Sequence, residues 1–137
     1  MQFTKMQALG NDYIYLDCTK EEPPGLPALA VRMSDRHTGV GADGLICLCP
    51  SRRADFAMRM FNADGSEGAM CGNGVRCLAR FAWDLGLWRG ERLRIETRSG
   101  VKELYLRVEG GTISNITVDM GPPLSGKTGT IFNSDRE

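Results

Sequence analysis

Apolar and polar residues alternate in short runs over most of the chain, and only two stretches switch to the helical period. Phe3 to Ala8 and Tyr13 to Asp17 read as strands, with the turn signal Leu9-Gly10-Asn11-Asp12 between them. Beyond Pro23, Pro24 and Pro27, the residues Leu26, Leu29, Ala30 and Met33 recur at i, i+3, i+4 and i+7 and predict a helix. Leu45 to Cys49 and Asp55 to Phe61 predict two further strands, with Phe56, Met58 and Met60 sharing a face of the second. The strongest helical pattern is Asn73 to Leu87. Val75, Leu78, Ala79, Ala82 and Leu85 fall on one side of it, and Gly86 and Gly90 end it. Alternation then returns in Leu93-Ile95-Thr97 and Val101 to Val108, and Glu109-Gly110-Gly111-Thr112 turns the chain into Ile113 to Met120. After Met120 the composition shifts to Gly, Pro, Ser and Thr without apolar periodicity, which reads as a linker. The layout predicts an α+β fold with mostly antiparallel strands and two helices.

Length and charge narrow the classes of function. A chain of 137 residues makes one domain or slightly more, and buries roughly 68% of its unfolded surface. Seventeen basic residues cancel seventeen acidic ones, so there is no general field for nucleic acid or for an anionic membrane. The longest apolar run, Leu45 to Cys49, is far too short to span a bilayer. Met1 to Gly10 shows no charged stretch followed by an apolar one, so no secretory signal is expected and the location implied is cytoplasmic. Five cysteines, at 18, 47, 49, 71 and 77, are an odd number and read as free thiols in a reducing compartment. Cys47 and Cys49 alternate within an apolar strand, where burial is the ordinary role. There is no Cys-x2-Cys pair and the single histidine is His37, so no metal site is expected.

Two glycine motifs look louder than their contexts allow. Gly39-Val40-Gly41-Ala42-Asp43-Gly44 matches G-x-G-x-x-G, but a dinucleotide site needs a strand before it and a helix after it. Here a polar segment precedes and a strand follows, the reverse order. Gly121-Pro122-Pro123-Leu124-Ser125-Gly126-Lys127-Thr128 matches the P-loop pattern, yet Pro122 and Pro123 have no N–H to offer phosphate. Residues 129–133 also make a poor helix start, and the linker reading is preferred.

The informative stretch runs from Phe61 through Cys77. A strand ends in a polar, glycine-rich loop, and Cys71 stands directly before the strongest helix. The first N–H groups of a helix lack intrahelical acceptors and carry partial positive charge, which favours a thiolate at that place. With Gly72 and Gly74 lacking side chains, the same amides leave room for a carboxylate to dock. A thiolate beside a carboxylate-binding helix end suits proton abstraction next to a carboxyl group. The plainer reading makes Cys71 a residue of the helix-capping region and Gly72 and Gly74 formers of a turn. Cys77, one turn further on, reads as packing, and His37 as a partner for a nearby carboxylate. Asn11 and Asn62, each at a strand end beside glycine, could cap the backbone or grip a ligand.

Four motifs together resemble diaminopimelate epimerase: Ala8-Leu9-Gly10-Asn11-Asp12-Tyr13, Asp35 to Gly44, Phe61-Asn62-Ala63-Asp64-Gly65-Ser66, and Met70-Cys71-Gly72-Asn73-Gly74-Val75-Arg76-Cys77. They stand in order across most of the chain. Ile116 to Gly121 is similar to that family's crossing into a second domain. The resemblance implies a cofactor-independent epimerase that inverts one α-carbon of L,L-diaminopimelate to give the meso isomer, for lysine and cell-wall peptidoglycan synthesis. It implies a mostly antiparallel, β-barrel-like sheet around a central helix. Cys71 would be one of two opposed catalytic cysteines, and Asn11, Asn62, Gly72 and Asn73 would be substrate-binding residues. Some family members carry Gln where this chain has Gly44.

Family members run to about twice this length, so residues 1–115 are expected to form the amino-terminal domain and 116–137 a crossover strand and linker. The second cysteine would belong to a missing carboxy-terminal domain, and the 137 residues alone are expected to be inactive. The partners implied are diaminopimelate, that missing domain and a homodimer mate. The alternatives are another isomerase of the same fold, proline-racemase-like or phenazine-biosynthesis-like, and a non-catalytic carboxylate-binding fragment.

Overall fold

The computed structural model describes residues 3–8, 10–68 and 72–119, with Ala8, Gly72 and Asn73 described at the backbone. Among these described residues, eight strands and two helices follow one another. They are β1 (Phe3–Ala8), β2 (Asn11–Asp17), α1 (Leu26–Ser34), β3 (Gly44–Cys49), β4 (Phe56–Asn62), β5 (Glu67–Gly68), α2 (Gly72–Asp84), β6 (Arg92–Thr97), β7 (Gly100–Glu109) and β8 (Thr112–Asp119). The strands make one sheet in the order β1-β2-β3-β4-β6-β7-β8, with β5 paired to β4 off that path.

Most pairings are antiparallel, as the alternation suggested. The exceptions are β2 with β3 and β4 with β6, which run parallel. Each parallel pair is joined through a helix, α1 in the first case and α2 in the second. Parallel neighbours need such a crossover, because a tight turn can only return the chain antiparallel.

The helices lie on opposite faces of the sheet, and strand alternation sorts the core between them. Tyr13 and Tyr15 of β2, Ile46 and Leu48 of β3, and Met58 and Met60 of β4 pack in the cluster that holds α2. Their intervening neighbours Ile14, Leu16, Leu45, Cys47, Cys49 and Phe61 pack in the cluster that holds α1. Every residue of β3 is buried, which is why Leu45 to Cys49 reads as a continuous apolar run. The predicted α1 stripe is buried at Leu26, Leu29 and Ala30, with Met33 packed at its margin.

α2 is the centre of the curled sheet. It packs against β1, β2 and β3 at one end of the strand order and against β8 at the other. Val75, Leu78, Ala79, Phe81 and Ala82 are buried on it, each at 1% exposure or less. Arg76 adds a polar tie, its Nε donating to Ile116 O of β8 at 3.2 Å. The helix ends at the predicted glycine. Gly86 has φ 77°, its N–H donates to Trp83 O at 2.9 Å, and the Leu87 N–H donates to Ala82 O at 2.9 Å. That paired arrangement satisfies the last carbonyls, and Leu87 packs back against the main core.

Candidate functional site

Strand register gathers part of the candidate constellation at one end of the sheet. Gly44, the first residue of β3, lies between Tyr13 of β2 and Asn62 of β4. Asn62 shares the face of Met58 and Met60, and Asn11 shares the face of Tyr13 and Tyr15, so both asparagines are placed on the α2 side. β5 brings the chain back beside β4, Gly68 opposite Met60, and α2 starts four residues later at Gly72. Four residues of chain reach at most about 14 Å, so the start of α2 stays near this end of the sheet. Gly72 and Asn73 are its first two residues, where N–H groups have no intrahelical acceptor. Cys71 lies outside the described residues.

The turn signal before β2 proved shorter than expected. Ala8 pairs directly with Asn11, so Asn11 and Asp12 belong to the strand, and Gly10 carries φ 86° beside them. Asn11 is exposed at the strand's head. Asp12 points to the opposite face and is 7% exposed. Its carboxylate accepts from Arg36 Nη2 at 3.1 Å and Nη1 at 3.3 Å, and Lys5 Nζ stands 3.4 Å away. The Asp12 N–H donates to Asp43 Oδ2 at 2.9 Å, and the Asp43 N–H donates back to Asp12 O at 2.7 Å. The Arg36 guanidinium, with help from Lys5, holds the Asp12 carboxyl well below the usual carboxylate range despite its burial. This cluster pins the head of β2, and so the backbone of Asn11, to the loop that follows α1.

That loop contains the G-x-G-x-x-G match, and its amides are already spent. The N–H groups of Gly41 and Ala42 donate to Met33 O at 2.9 Å and Ser34 O at 3.1 Å, the last carbonyls of α1. A Cβ on Gly39 would lie 2.2 Å from Arg32 O, so glycine is required by this close approach. The motif caps the end of a helix and does not open one.

At Gly44 a Cβ would sit 2.4 Å from Phe61 O and 3.2 Å from the Tyr13 ring. A side chain would clash there, so the chain contributes only backbone at Gly44.

Asn62 is held by its own hairpin. Its N–H donates to Ser66 O at 2.7 Å, and its Nδ2 donates to Ser66 Oγ at 3.0 Å. Gly65, with φ 90°, donates to Asn62 O at 2.9 Å and closes a three-residue loop that packs on α1. The pattern of apolar positions assigns Asp64 and Ser66 no role; their signal is Asp-x-Ser, in which an Asp side chain bonds two residues on. β5 was also missed, since two residues carry no periodicity. It is fixed by Arg59, which donates to Glu67 at 3.0 Å and 3.2 Å, and by Arg98, which donates to Glu67 O at 2.9 Å.

The other cysteines stand apart. Cys18, Cys47 and Cys49 are buried on the α1 face, and hydrogen bonding to Cys18, together with burial, pushes Cys47 and Cys49 far above the usual thiol range. Cys77 is half-buried in α2. No group of three or more metal-ligating side chains occurs among the described residues. Nor is any helix among them long and apolar enough to cross a membrane. The P-loop match, Gly121 to Thr128, and the rest of the predicted linker lie outside the described residues.

Comparison with known proteins agrees with this layout. The chain is 47% identical over all 137 residues to a diaminopimelate epimerase from Acetivibrio thermocellus, of which it covers 49%. It is 52% identical over 125 residues to one from Pelotomaculum thermopropionicum, covering 90% of this chain and 45% of that one. The chain thus spans about half the length of the curated relatives it matches. Among solved structures, a probable proline racemase from Agrobacterium radiobacter superposes with a TM-score of 0.66 at 17% identity, over 85% of this chain and 40% of the other. A phenazine biosynthesis protein from Bacillus anthracis gives 0.61 at 21% identity, over 85% and 37%. These distant likenesses establish the fold, a mixed sheet curled about a helix. The model of the diaminopimelate epimerase family matches residues 3–125, and the chain belongs to that family.

Proposed function

We propose that the protein carrying this chain is a cofactor-independent isomerase that interconverts L,L-diaminopimelate and meso-diaminopimelate, in the cytoplasm, for lysine and peptidoglycan synthesis. Cys71, which directly precedes Gly72 in sequence, is one of two thiols that work on opposite faces of one α-carbon. One thiolate removes the α-proton, leaving the electron pair delocalised into the adjacent carboxylate, and the other thiol returns a proton to the far face. The amides at Gly72 and Asn73 hold that carboxylate and stabilise the charge that develops on it. Asn11 and Asn62 bind the substrate.

Family membership over residues 3–125 is the observation that carries this reading. The register supports it by placing Asn11 and Asn62 on the face that α2 covers. Of the described cysteines, three lie on the α1 face and Cys77 lies within α2 itself. Because the chain covers about half of each relative, the second thiol is assigned to a second domain, reached past β8. Residues 1–115 are assigned to the first domain and 116–137 to the crossover. A homodimer mate is a further partner for sedimentation to check.

The test is solvent-deuterium incorporation at the α-carbon, measured on the protein as its gene encodes it. Cys71→Ala is expected to lower the rate of epimerisation by roughly 10³-fold or more, the scale set by removing a positioned acid–base group. Parent-like turnover in that variant would remove Cys71 from the mechanism.

A further inference from the structure

We propose that Asp64 and Ser66 are positioning residues that decide which way round the Asn62 carboxamide is held. The inference rests on the reading of Asn62 as a substrate-binding residue, and it adds a determinant of how that residue presents itself. The Ser66 hydroxyl has one hydrogen, and it donates it to Asp64 Oδ1 at 2.6 Å. The Ser66 N–H donates to the same oxygen at 2.9 Å, so the Asp64 carboxylate and Ser66 form a closed local ring. These two donors keep Asp64 below its usual carboxyl range, in its charged, accepting form.

With its hydrogen committed to Asp64, Ser66 Oγ has only lone pairs to offer Asn62. The amide must turn its NH2 toward it, and Nδ2 donates at 3.0 Å. Reversing the carboxamide would set Oδ1 against Oγ, two acceptors with no hydrogen between them. Oδ1 and the second N–H are therefore presented away from Ser66, as one acceptor and one donor side by side. A zwitterionic amino-acid end offers the complement, an ammonium donor and a carboxylate acceptor. Gly68 leaves that flank open: a Cβ there would stand 3.4 Å from Nδ2 and 3.8 Å from Oδ1, and anything longer would lie over the amide. The backbone bond from Asn62 N to Ser66 O, at 2.7 Å, keeps the two residues facing each other.

The test uses the protein as its gene encodes it, with diaminopimelate as substrate. Ser66→Ala is expected to raise KM about tenfold, the scale of one net hydrogen bond and its orienting effect, with kcat within about twofold and an unchanged melting temperature. Ser66→Thr, which keeps the hydroxyl, is expected to restore KM to within about twofold of the parent, by the same hydrogen-bond scale. Asp64→Ala frees the hydroxyl to donate or accept, so both amide orientations are populated and KM rises by a smaller factor, about threefold. A Ser66→Ala KM within twofold of the parent overturns the proposal, and so does a joint fall of kcat and melting temperature that Thr does not rescue. If Asn62→Ala leaves KM unchanged, or Cys71→Ala keeps its turnover, the underlying reading of the site fails instead.

Discussion

Two glycine-rich segments of this chain carry the same look in sequence and opposite roles in structure. Gly39 to Gly44 follows α1 and folds back over its end, so the Gly41 and Ala42 amides meet the carbonyls of Met33 and Ser34. Gly65 to Gly74 runs the other way, from strand to helix, and delivers the chain to the start of α2, whose first amides have no acceptor within the helix. Glycine in the first segment serves close packing: Gly39 has no room for a Cβ beside Arg32 O. In the second, Gly65 supplies a left-handed turn and Gly68 leaves a side-chain amide uncovered. An anion needs N–H groups that the fold has not already used, and the Gly41 and Ala42 amides of the first segment are used.

The contrast can be broken by mutation. Gly39→Ala should give the largest effect, since its Cβ would fall 2.2 Å from a backbone oxygen that cannot move without disturbing α1. A loss of about 1–3 kcal/mol in urea unfolding is expected, the usual cost of overpacking. Unchanged stability would show that the loop is not held to α1 as described.

A smaller effect is expected at the far end of α2. Gly86→Ala forces a side chain into φ 77° and weakens the cap made by Gly86 and Leu87, at a cost of roughly 1 kcal/mol. That end of the helix lies opposite Gly72 and Asn73 along α2, so Gly86→Ala should lower the melting temperature without altering KM.

Acid separates the two segments by charge. The Arg36 guanidinium depresses the Asp12 carboxyl in the folded protein, so its contribution is complete above the ordinary carboxylate pKa and is lost as pH falls through the folded value. Stability from this cluster should therefore hold from neutrality down to about pH 4 and decline only below it. Arg36→Gln should flatten that decline in a series of urea melts. If the parent loses the same stability between pH 7 and pH 5, another group is responsible.

The mildest perturbation is ligand itself. Titration with diaminopimelate, followed by amide NMR on the intact protein, should shift Gly72 and Asn73 and leave Gly41 and Ala42 in place. Shifts confined to Gly41 and Ala42 would reverse the assignment of the two segments.

Local structure was legible to a large degree. The α1 stripe is buried as read, Phe56, Met58 and Met60 share the α2 side, and α2 closes at Gly86. Boundaries slipped where pairing, not periodicity, decides them. β2 starts at Asn11 because Ala8 pairs with it, and β4 runs on to Asn62 because Gly44 does. The site was legible only as a set of residue types beside glycines and as a resemblance. Nothing in the spacing of Asn11 and Asn62, fifty-one positions apart, says that they share a face, nor that Ser66 and Asp64 hold the second of them.

By itself, then, the sequence determined the alternation of its strands, the two helices, and the glycine-flanked thiol placed ahead of the stronger one. These follow from interactions within a few residues, which a one-dimensional pattern records. Tertiary structure decided that β2 and β3 lie side by side in parallel, and that β1 and β8 both close on α2. It also decided that Asp12 is buried under Arg36 and that one glycine motif spends its amides on α1. Those outcomes depend on which distant segments meet, and the free energy that selects the meeting comes from burying both faces of the sheet at once.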